Sequence, residues 1–466
     1  MTTVAHVEAR GWRAAVTAAL ASGDRFQGAW ATGDGGWRVC LEREQVSHVL
    51  ICAPTDGRVD SIVDLAGAAV WDEREAHDLY ALEFDGHEPM RPLVEHPQSV
   101  AAWTTPVTGT GVHQVAVGPI HAGVIESGHF RFHCVGDRIL ALDPRLFHKH
   151  RGLERAAEGR TPEQALPYAA RACAACAVAN SVAYAHAIED ARGLWPTDEL
   201  RRQRTVLLEL ERAYNHLNDI GAICAGVGFA AGSMAFAALK DRAQELCRQA
   251  FGHRFLFGSV AVGYGHAVLD PGPADALRMQ LREIRTDAAA AWRDLEFAAS
   301  LQARLDGIGV LDRDRALLFG AVGPAARAAG IATDVRTNSP RLAYQDLEPA
   351  SPARAAGDVA ARFQIRAVEL DATWDILDQQ LSEPLVRADA RERSPRSAIG
   401  IGRVESARGE STCMVELGSD TLRRLHLRTA SYANWPALAD ATAGNLLPDF
   451  PLINKSFELC YACVDR

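Results

Sequence analysis

Two Cys-x-x-Cys phrases, Cys173/Cys176 and Cys460/Cys463, are the residues in this sequence with the clearest capacity for chemistry. Such a phrase brings two thiolates within a few ångströms of each other, close enough to share one metal. Soft thiolates favour zinc, iron–sulfur clusters or another soft transition metal. A zinc ribbon sets its second pair about 15–20 residues after the first, whereas most of the chain lies between Cys176 and Cys460. Neither pair follows a strand in a βαβ unit, which disfavours a thioredoxin-type redox motif. Residue chemistry alone leaves two readings open: one shared four-thiolate centre, or two unrelated structural pairs.

Composition narrows the setting. The chain has 466 residues, room for several domains, with the 48% hydrophobic and 23% charged content of an ordinary globular protein. A net charge of -10 argues against a nucleic-acid partner, since phosphate binding needs clustered Lys and Arg. The arginines are scattered among acidic neighbours, and solvated helix faces are the expected place for most of them. Met1–Arg13 is polar and does not read as a signal peptide, so the ten cysteines point to a reducing compartment. Cys40, Cys52, Cys134, Cys224, Cys247 and Cys413 stand alone in sequence and are expected to be buried core thiols. Ile220–Leu239 is uncharged over about the length of a membrane span, ~20 residues. It is rich in Gly and Ala and lacks an aromatic belt, so a buried, tightly packed helix or turn is expected, in a soluble or peripheral protein.

The elements that must position these cysteines follow from periodicity. Residues 1–35 begin with an Ala-rich amphipathic helix, and alternation over Trp37–Cys52 predicts a hairpin. A helix is expected over Asp60–Tyr80, and a linker or extended connection over residues 95–115. Short apolar runs over Val115–Leu142 suit a small sheet. Long helices are predicted at Pro162–Glu189, Leu200–Ile220, Ala274–Ala303 and Ala356–Leu381, with a break at Pro340–Pro349. Strand character returns over Ile399–Leu427, before a final loop and turn. The fold class is α+β: a small N-terminal α+β domain at 1–97, a linker at 98–115, and a large, mainly helical domain with a peripheral small sheet at 116–466. A helical bundle between the two cysteine pairs would bring both loops to its centre.

The flanking residues go further. Arg171–Asn180, RACAACAVAN, resembles the first metal-binding motif of nickel–iron hydrogenase large subunits, R-x-C-G-x-C-x-x-x-H. Glu458–Arg466, ELCYACVDR, resembles the second, D-P-C-x-x-C-x-x-H/R, and with Asp449–Ile453 it looks like the group 4, energy-converting or formate-hydrogenlyase type. Gly118–His121, Glu126–Arg131 and His150–Glu154 are similar to the start of these subunits and of their complex I relative. Glu405–Glu410 and Arg428–Ser431 resemble the E-x-P-R-G-E and R-x-P-S segments. Trp71–Tyr80, with Phe84–Pro89, resembles the small peripheral-arm subunit of complex I, with its E-R-E-x-x-D and G-H-P motifs. A fused N-terminal domain of that kind is a group 4 habit.

The resemblance implies a large subunit that carries out reversible heterolytic H2 cleavage. Cys173 and Cys460 would be terminal nickel thiolates, and Cys176 and Cys463 would bridge nickel to an iron carrying CO and cyanide. Arg408 would hang its guanidinium over the open metal position, Ser431 would hydrogen-bond a cyanide, and Glu126 would take the proton from a terminal thiolate. The histidines of the Gly118–His150 region, His87 and Glu73–Glu75 are expected to be structural or docking groups. Electrons would pass through an iron–sulfur cluster in a partner small subunit, with membrane-arm subunits holding the complex on the cytoplasmic face of the cell membrane. Formate dehydrogenase or ferredoxin-like carriers are possible electron partners. The alternative implied is a non-hydrogenase member of the complex I superfamily, linked to quinone or ferredoxin.

Departures from the pattern mark a divergent branch. Ala174 stands where Gly is usual, Asn180 where His is, and Glu458-Leu459 where Asp-Pro is. Ala407 and Ala430 replace prolines. All four cysteines are retained. Ending at Arg466 fits either a processed chain or one encoded without a C-terminal extension.

Overall fold

The computed structural model describes residues 2–54, 56–121, 126–339, 341–344 and 354–466. Its first element is a strand, β1 (Thr2–Val7), ahead of helix α1 (Trp12–Ala21). Then come β2 (Arg25–Ala31), β3 (Trp37–Arg43) and β4 (Val46–Cys52), in the sheet order β1-β4-β3-β2. The β3–β4 pairing is the expected antiparallel hairpin, while β1 lies parallel to β4. Most of β1 is exposed, so it lacks the buried alternation by which a strand is recognised in sequence. Trp12, Trp37 and Phe84 fill the core beneath this sheet, with Trp37 and Phe84 edge to face at 5.0 Å.

The helix expected over Asp60–Tyr80 is shorter. Residues up to Asp60 form β5 (Arg58–Asp60), and the helix proper, α2, is Val70–Tyr80, followed by β6 (Glu83–Asp85), which pairs parallel with β5. Asp78 at the end of α2 accepts from the backbone N–H groups of Leu93 and Val94, both at 2.7 Å, pinning the outgoing chain. Beyond it only a single 3-10 turn at Val100–Ala102 precedes a three-stranded antiparallel sheet, β7 (Val112–Val117), β8 (His129–Val135) and β9 (Arg138–Arg145).

The helical region begins with α3 (Leu153–Ala157) and α4 (Pro162–Ala170). A capping box between Thr161 and Gln164, with Pro162 at the first position, starts α4. Pro162–Glu189, expected as one helix, is two: α4 ends before Cys173, and α5 (Ala177–Arg192) starts after Cys176. Next come β10 (Leu194–Pro196), α6 (Asp198–Gly226) and α7 (Ala230–Phe251). Asp198 and Glu199 in the first turn of α6 complement its dipole. The uncharged stretch Ile220–Leu239 straddles the α6–α7 corner, and Met234 within it is exposed. Among the described residues no helix is long and apolar enough to cross a membrane.

β11 (Tyr264–Gly265) leads to α8 (Pro271–Glu296) and α9 (Ala299–Leu305), which divide the helix expected over Ala274–Ala303. After the short α10 (Arg313–Leu318) and α11 (Gly323–Ala328), α12 (Val359–Gln380) closes the bundle. Residues 340 and 345–349 of the expected break lie outside the described residues. β12 (Ala388–Glu392) joins β10 and β11 at the edge, and β13 (Ile399–Ser406), β14 (Gly409–Leu417) and β15 (Leu422–Arg428) form an antiparallel meander. The final loop and turn is instead α13 (Ala430–Thr442), α14 (Phe450–Phe457) and the single turn α15 (Ala462–Asp465). A strong N-cap, Thr429 Oγ1 accepting from the Tyr432 N–H at 3.2 Å, starts α13.

Most arginines are at least partly exposed, as expected from composition, but a buried minority stands apart. Arg204, Arg212, Arg327, Arg336, Arg362, Arg366 and Arg424 are among the largest fully buried side chains. They are tolerated because each finds carboxylates or carbonyls: Arg204 pairs with Glu189 at 2.5 Å, and Arg327 with Glu369 at 2.7 Å and Glu405 at 2.9 Å. Scattered acidic neighbours in sequence become buried partners in space. The six isolated cysteines are all buried, as expected.

Candidate metal centre

Each cysteine pair sits at a break next to a helix end. Cys176 occupies the N-cap position of α5 and makes no capping hydrogen bond. The missing acceptor comes from α6: the Glu211 carboxylate accepts from Val178 N at 2.6 Å and Ala179 N at 3.0 Å. The first turn of α5 is thus satisfied without the thiol, which is left to meet the other cysteines. Burial pushes the Glu211 carboxyl up to about 8.

The second pair follows α14. Glu458 adopts a left-handed conformation that ends this helix and turns the chain towards Cys460. Buried arginines satisfy the helix's last carbonyls: Arg366 donates to Phe457 O at 3.0 Å and Arg408 Nε to Glu458 O at 2.5 Å. Cations at a helix C-terminus also meet the negative end of its dipole. Arg362 donates to Ser456 Oγ at 2.9 Å and stacks over Phe457.

These two breaks meet. The sulfurs of Cys173, Cys176, Cys460 and Cys463 all lie within 4.8 Å of one another, and Cys176 Sγ is 3.8 Å from Cys460 Sγ. Four thiols so close cannot all ionise alike. Hydrogen bonds from Cys173, Cys176 and Cys463 hold the Cys460 thiol well below the ordinary range, with the Arg408 guanidinium adding to the effect. Hydrogen bonding to Cys173 first, and then to Cys460, pushes Cys176 and Cys463 up.

The other residues singled out from sequence surround this cluster. Arg408, on the β13–β14 turn, donates to Asn215 Oδ1 at 2.7 Å and pairs with Asp219 at 3.2 Å. Burial opposes its charge, but Asp219, Cys460 and Cys176 together raise its pKa well above the usual guanidinium value. Ser431 Oγ accepts from the Cys460 N–H at 2.9 Å, so it touches the cysteine loop itself. Glu126 Oε2 accepts from the Ala462 N–H at 2.7 Å and so caps the turn between Cys460 and Cys463. Burial raises the Glu126 carboxyl, with negative Cys460 in support and the Ala462 N–H opposing.

A cleft of about 460 Å³ opens on the cluster; Cys173, Cys460, Glu126 and Arg408 line it with Tyr214, Asn215, Phe255 and Tyr461. Three histidines of the Gly118–His150 region bond backbone carbonyls: His121 to Gly128 O at 2.7 Å, His129 to Gly118 O at 3.2 Å and His150 to Asp465 O at 2.8 Å. Glu73 is likewise internal to the N-terminal region, accepting from Ser61, Ile62 N and His87.

Glu211, Asn215 and Asp219 were not identified from the sequence. Their spacing of four places them on one face of α6, and three polar groups in register beside buried positions were the available signal. Asn180, one helical turn past Cys176, is buried, and neither its Oδ1 nor its Nδ2 has a protein partner among the described residues. Four converging thiols and an orphaned amide together fit a soft metal centre.

The family model described as respiratory-chain NADH dehydrogenase, 49 Kd subunit, matches residues 226–399 and 391–466, and that of the 30 Kd subunit matches residues 36–106. Hydrogenase-4 component G of Escherichia coli (strain K12) is 31% identical over 440 residues, 87% of this chain and 75% of that protein. Formate hydrogenlyase subunit 5 of the same organism is 30% identical over 437 residues, 87% of this chain and 76% of that protein. A solved chain of the membrane-bound sulfane sulfur reductase, an archaeal respiratory membrane complex, superposes with a TM-score of 0.70 at 25% identity, covering 78% of this chain and 100% of that one.

Proposed function

Because the chain belongs to the family of group 4, formate-hydrogenlyase-type nickel–iron hydrogenase large subunits with a fused complex I-type N-terminal region, we propose that it is the catalytic large subunit of a membrane-associated nickel–iron hydrogenase. The observation that carries this reading is the convergence of four cysteine sulfurs within 4.8 Å. Cys173, Cys176, Cys460 and Cys463 would together hold the nickel–iron centre through their thiolates. When bound, a nickel–iron centre with CO and cyanide ligands supplies the site of heterolytic H2 cleavage and the route for electrons.

The chain's own residues orient and protect that chemistry. Arg408, fixed by Asp219, Asn215 and Glu458 O, presents a preorganised cation to the cleft, where developing negative charge is stabilised without reorganisation. Ser431 holds the Cys460 N–H and keeps the thiolate loop in one conformation. Glu126, lining the same cleft as Cys460, accepts the proton at its carboxylate and passes it outward. Electrons leave to an iron–sulfur cluster in a partner small subunit, and membrane-arm subunits hold the assembly on the cytoplasmic face.

A second reading takes its support from the cleft, whose ~460 Å³ is in the range of small organic ligands. In it the chain serves a quinone- or ferredoxin-linked complex without H2 chemistry. Purified complex separates the two: nickel near one equivalent, infrared bands of CO and cyanide, and H2 evolution that is lost in Cys460→Ser support the first. Absence of nickel and of those bands overturns it.

A further inference from the structure

A second buried cluster lies outside the cysteine site. Glu75, Glu154 and His426 converge within 4.8 Å, a spacing that would suit a cation. Two guanidiniums already occupy it. Arg466 pairs with Glu75 and, at 3.3 Å, with Glu154, while Arg424 pairs with Glu154 at 2.9 Å. Two carboxylates meet two guanidiniums, so the carboxylates are already paired without a metal. It joins two distant parts of the chain: Glu75 belongs to α2 of the N-terminal region, and Arg466 stands three residues after Cys463.

The rest of this contact points the same way. Trp71, Asp72 and Glu75 share one face of α2. Trp71 packs edge to face on Tyr432 at 5.4 Å, Asp72 pairs with Arg428 at 3.2 Å, and the Arg466 guanidinium lies 4.8 Å over the Tyr432 ring. Between Cys463 and Arg466 the chain is gripped again, since Asp465 accepts from Phe147 N at 2.8 Å and Lys149 N at 2.9 Å. Glu75 and Arg466 are both almost fully buried, so this is an internal strut and not a surface ion pair.

We propose that Glu75 is a positioning residue for the metal centre: through Arg466, the N-terminal region holds the Cys460–Cys463 loop in register with Cys173 and Cys176. The proposal rests on the metal-site reading above for its purpose, but its mechanical part stands on the contacts alone. A carboxylate reaching from one region of the fold into the end of another makes the geometry of the cysteine loop conditional on docking of the N-terminal region. Completion of the four-thiolate site and assembly of the two regions become one event.

The test uses the full chain carrying Glu75→Gln, Glu75→Asp, Arg466→Gln or the Glu75→Gln/Arg466→Gln pair, with Arg58→Gln as control, because Arg58 pairs with Asp85 at an exposed position of the same region. Hydrogen–deuterium exchange of the amides from Leu459 to Asp465 reads the loop directly. Exchange about ten-fold faster is expected in Glu75→Gln, the factor that follows from losing one charged hydrogen bond, with no further gain in the double variant and none in Arg58→Gln. Glu75→Asp, shorter by one methylene, keeps the charge and the fold and shows the same acceleration. Unchanged exchange in Glu75→Gln and Glu75→Asp, or effects of Glu75→Gln and Arg466→Gln that simply add, overturns the proposal. Cobalt(II) alone, read by its thiolate absorption, then reports the four-sulfur site: binding is expected about ten-fold weaker in Glu75→Gln on the same basis. A wild-type chain that fails to bind cobalt(II) through thiolates removes the metal-site reading, and the exchange result still judges the strut.

Discussion

Gly402 of β13 lies so close to α5 that a Cβ built on it would stand 1.9 Å from the Ala183 carbonyl oxygen, and Gly400 repeats the approach 2.0 Å from Ala187 O. These two glycines let a strand lie directly on the helix that Cys176 begins. Gly402→Ala is therefore expected to destabilise the protein by about 3 kcal/mol through overpacking. Because α5 must shift, it should also lower metal retention, and a denaturant midpoint together with metal analysis checks both.

Arg408 provides a separate prediction about chemistry. Its guanidinium uses three nitrogens on three different partners, Glu458 O, Asn215 and Asp219, a fork that Lys cannot reproduce. On the proposed hydrogenase function, Arg408→Lys should keep the metal and the fold while lowering H2 turnover by about 100-fold, the scale for removing one preorganised donor. Full turnover with bound metal would show that the residue only braces α14.

The orphaned amide of Asn180 separates the metal-free chain from the loaded one. A buried polar group without a partner costs about 1–3 kcal/mol, so the near-isosteric Asn180→Leu should melt no lower than wild type when metal-free. Once metal is bound the same variant should be the weaker binder. Paired melting curves with and without metal are the measurement, and a lower metal-free Tm in the variant would argue that the amide is already satisfied.

Glu410 sets a pH dependence. Burial opposes its charge, but Arg25 at 2.8 Å and Arg403 at 2.5 Å lower its carboxyl from an ordinary 4.5 to about 2. A depressed carboxylate pKa contributes stability above the unfolded value that is lost as pH falls through the folded one. The contribution is therefore whole near neutrality and disappears between about pH 5 and pH 2, with a size of about 3 kcal/mol. Glu410→Gln should be less stable than wild type at pH 7, and the gap should close on acidification. A constant gap down to pH 2.5 would count against the ion pairs as its cause.

Legibility from the sequence differed between local and long-range features. The β3–β4 hairpin, the meander β13–β15 and α12 stood out because each is an unbroken run of strand or helix character rich in apolar residues. β1 did not, because it is mostly exposed. The helix expected at Pro162–Glu189 hid a break, since Ala-rich residues around Cys173 and Cys176 sustain helical propensity while the chain is bent there by contacts with α6 and the C-terminal loop. α13 and α14 stand where a final loop and turn was expected; Pro451 lies in the first turn of α14, where proline is tolerated.

By itself the sequence supplied the ligand types, the flanking phrases and the order of the regions, which are properties of neighbouring residues. What only the tertiary structure decided was that Cys176 and Cys460, 284 positions apart, come within 3.8 Å. It also decided that Glu211 caps a helix it does not belong to, and that Glu75 grips Arg466. The physical reason is that buried charges and uncapped helix ends must find partners wherever the packed core leaves them, and that choice is made across the fold rather than along the chain.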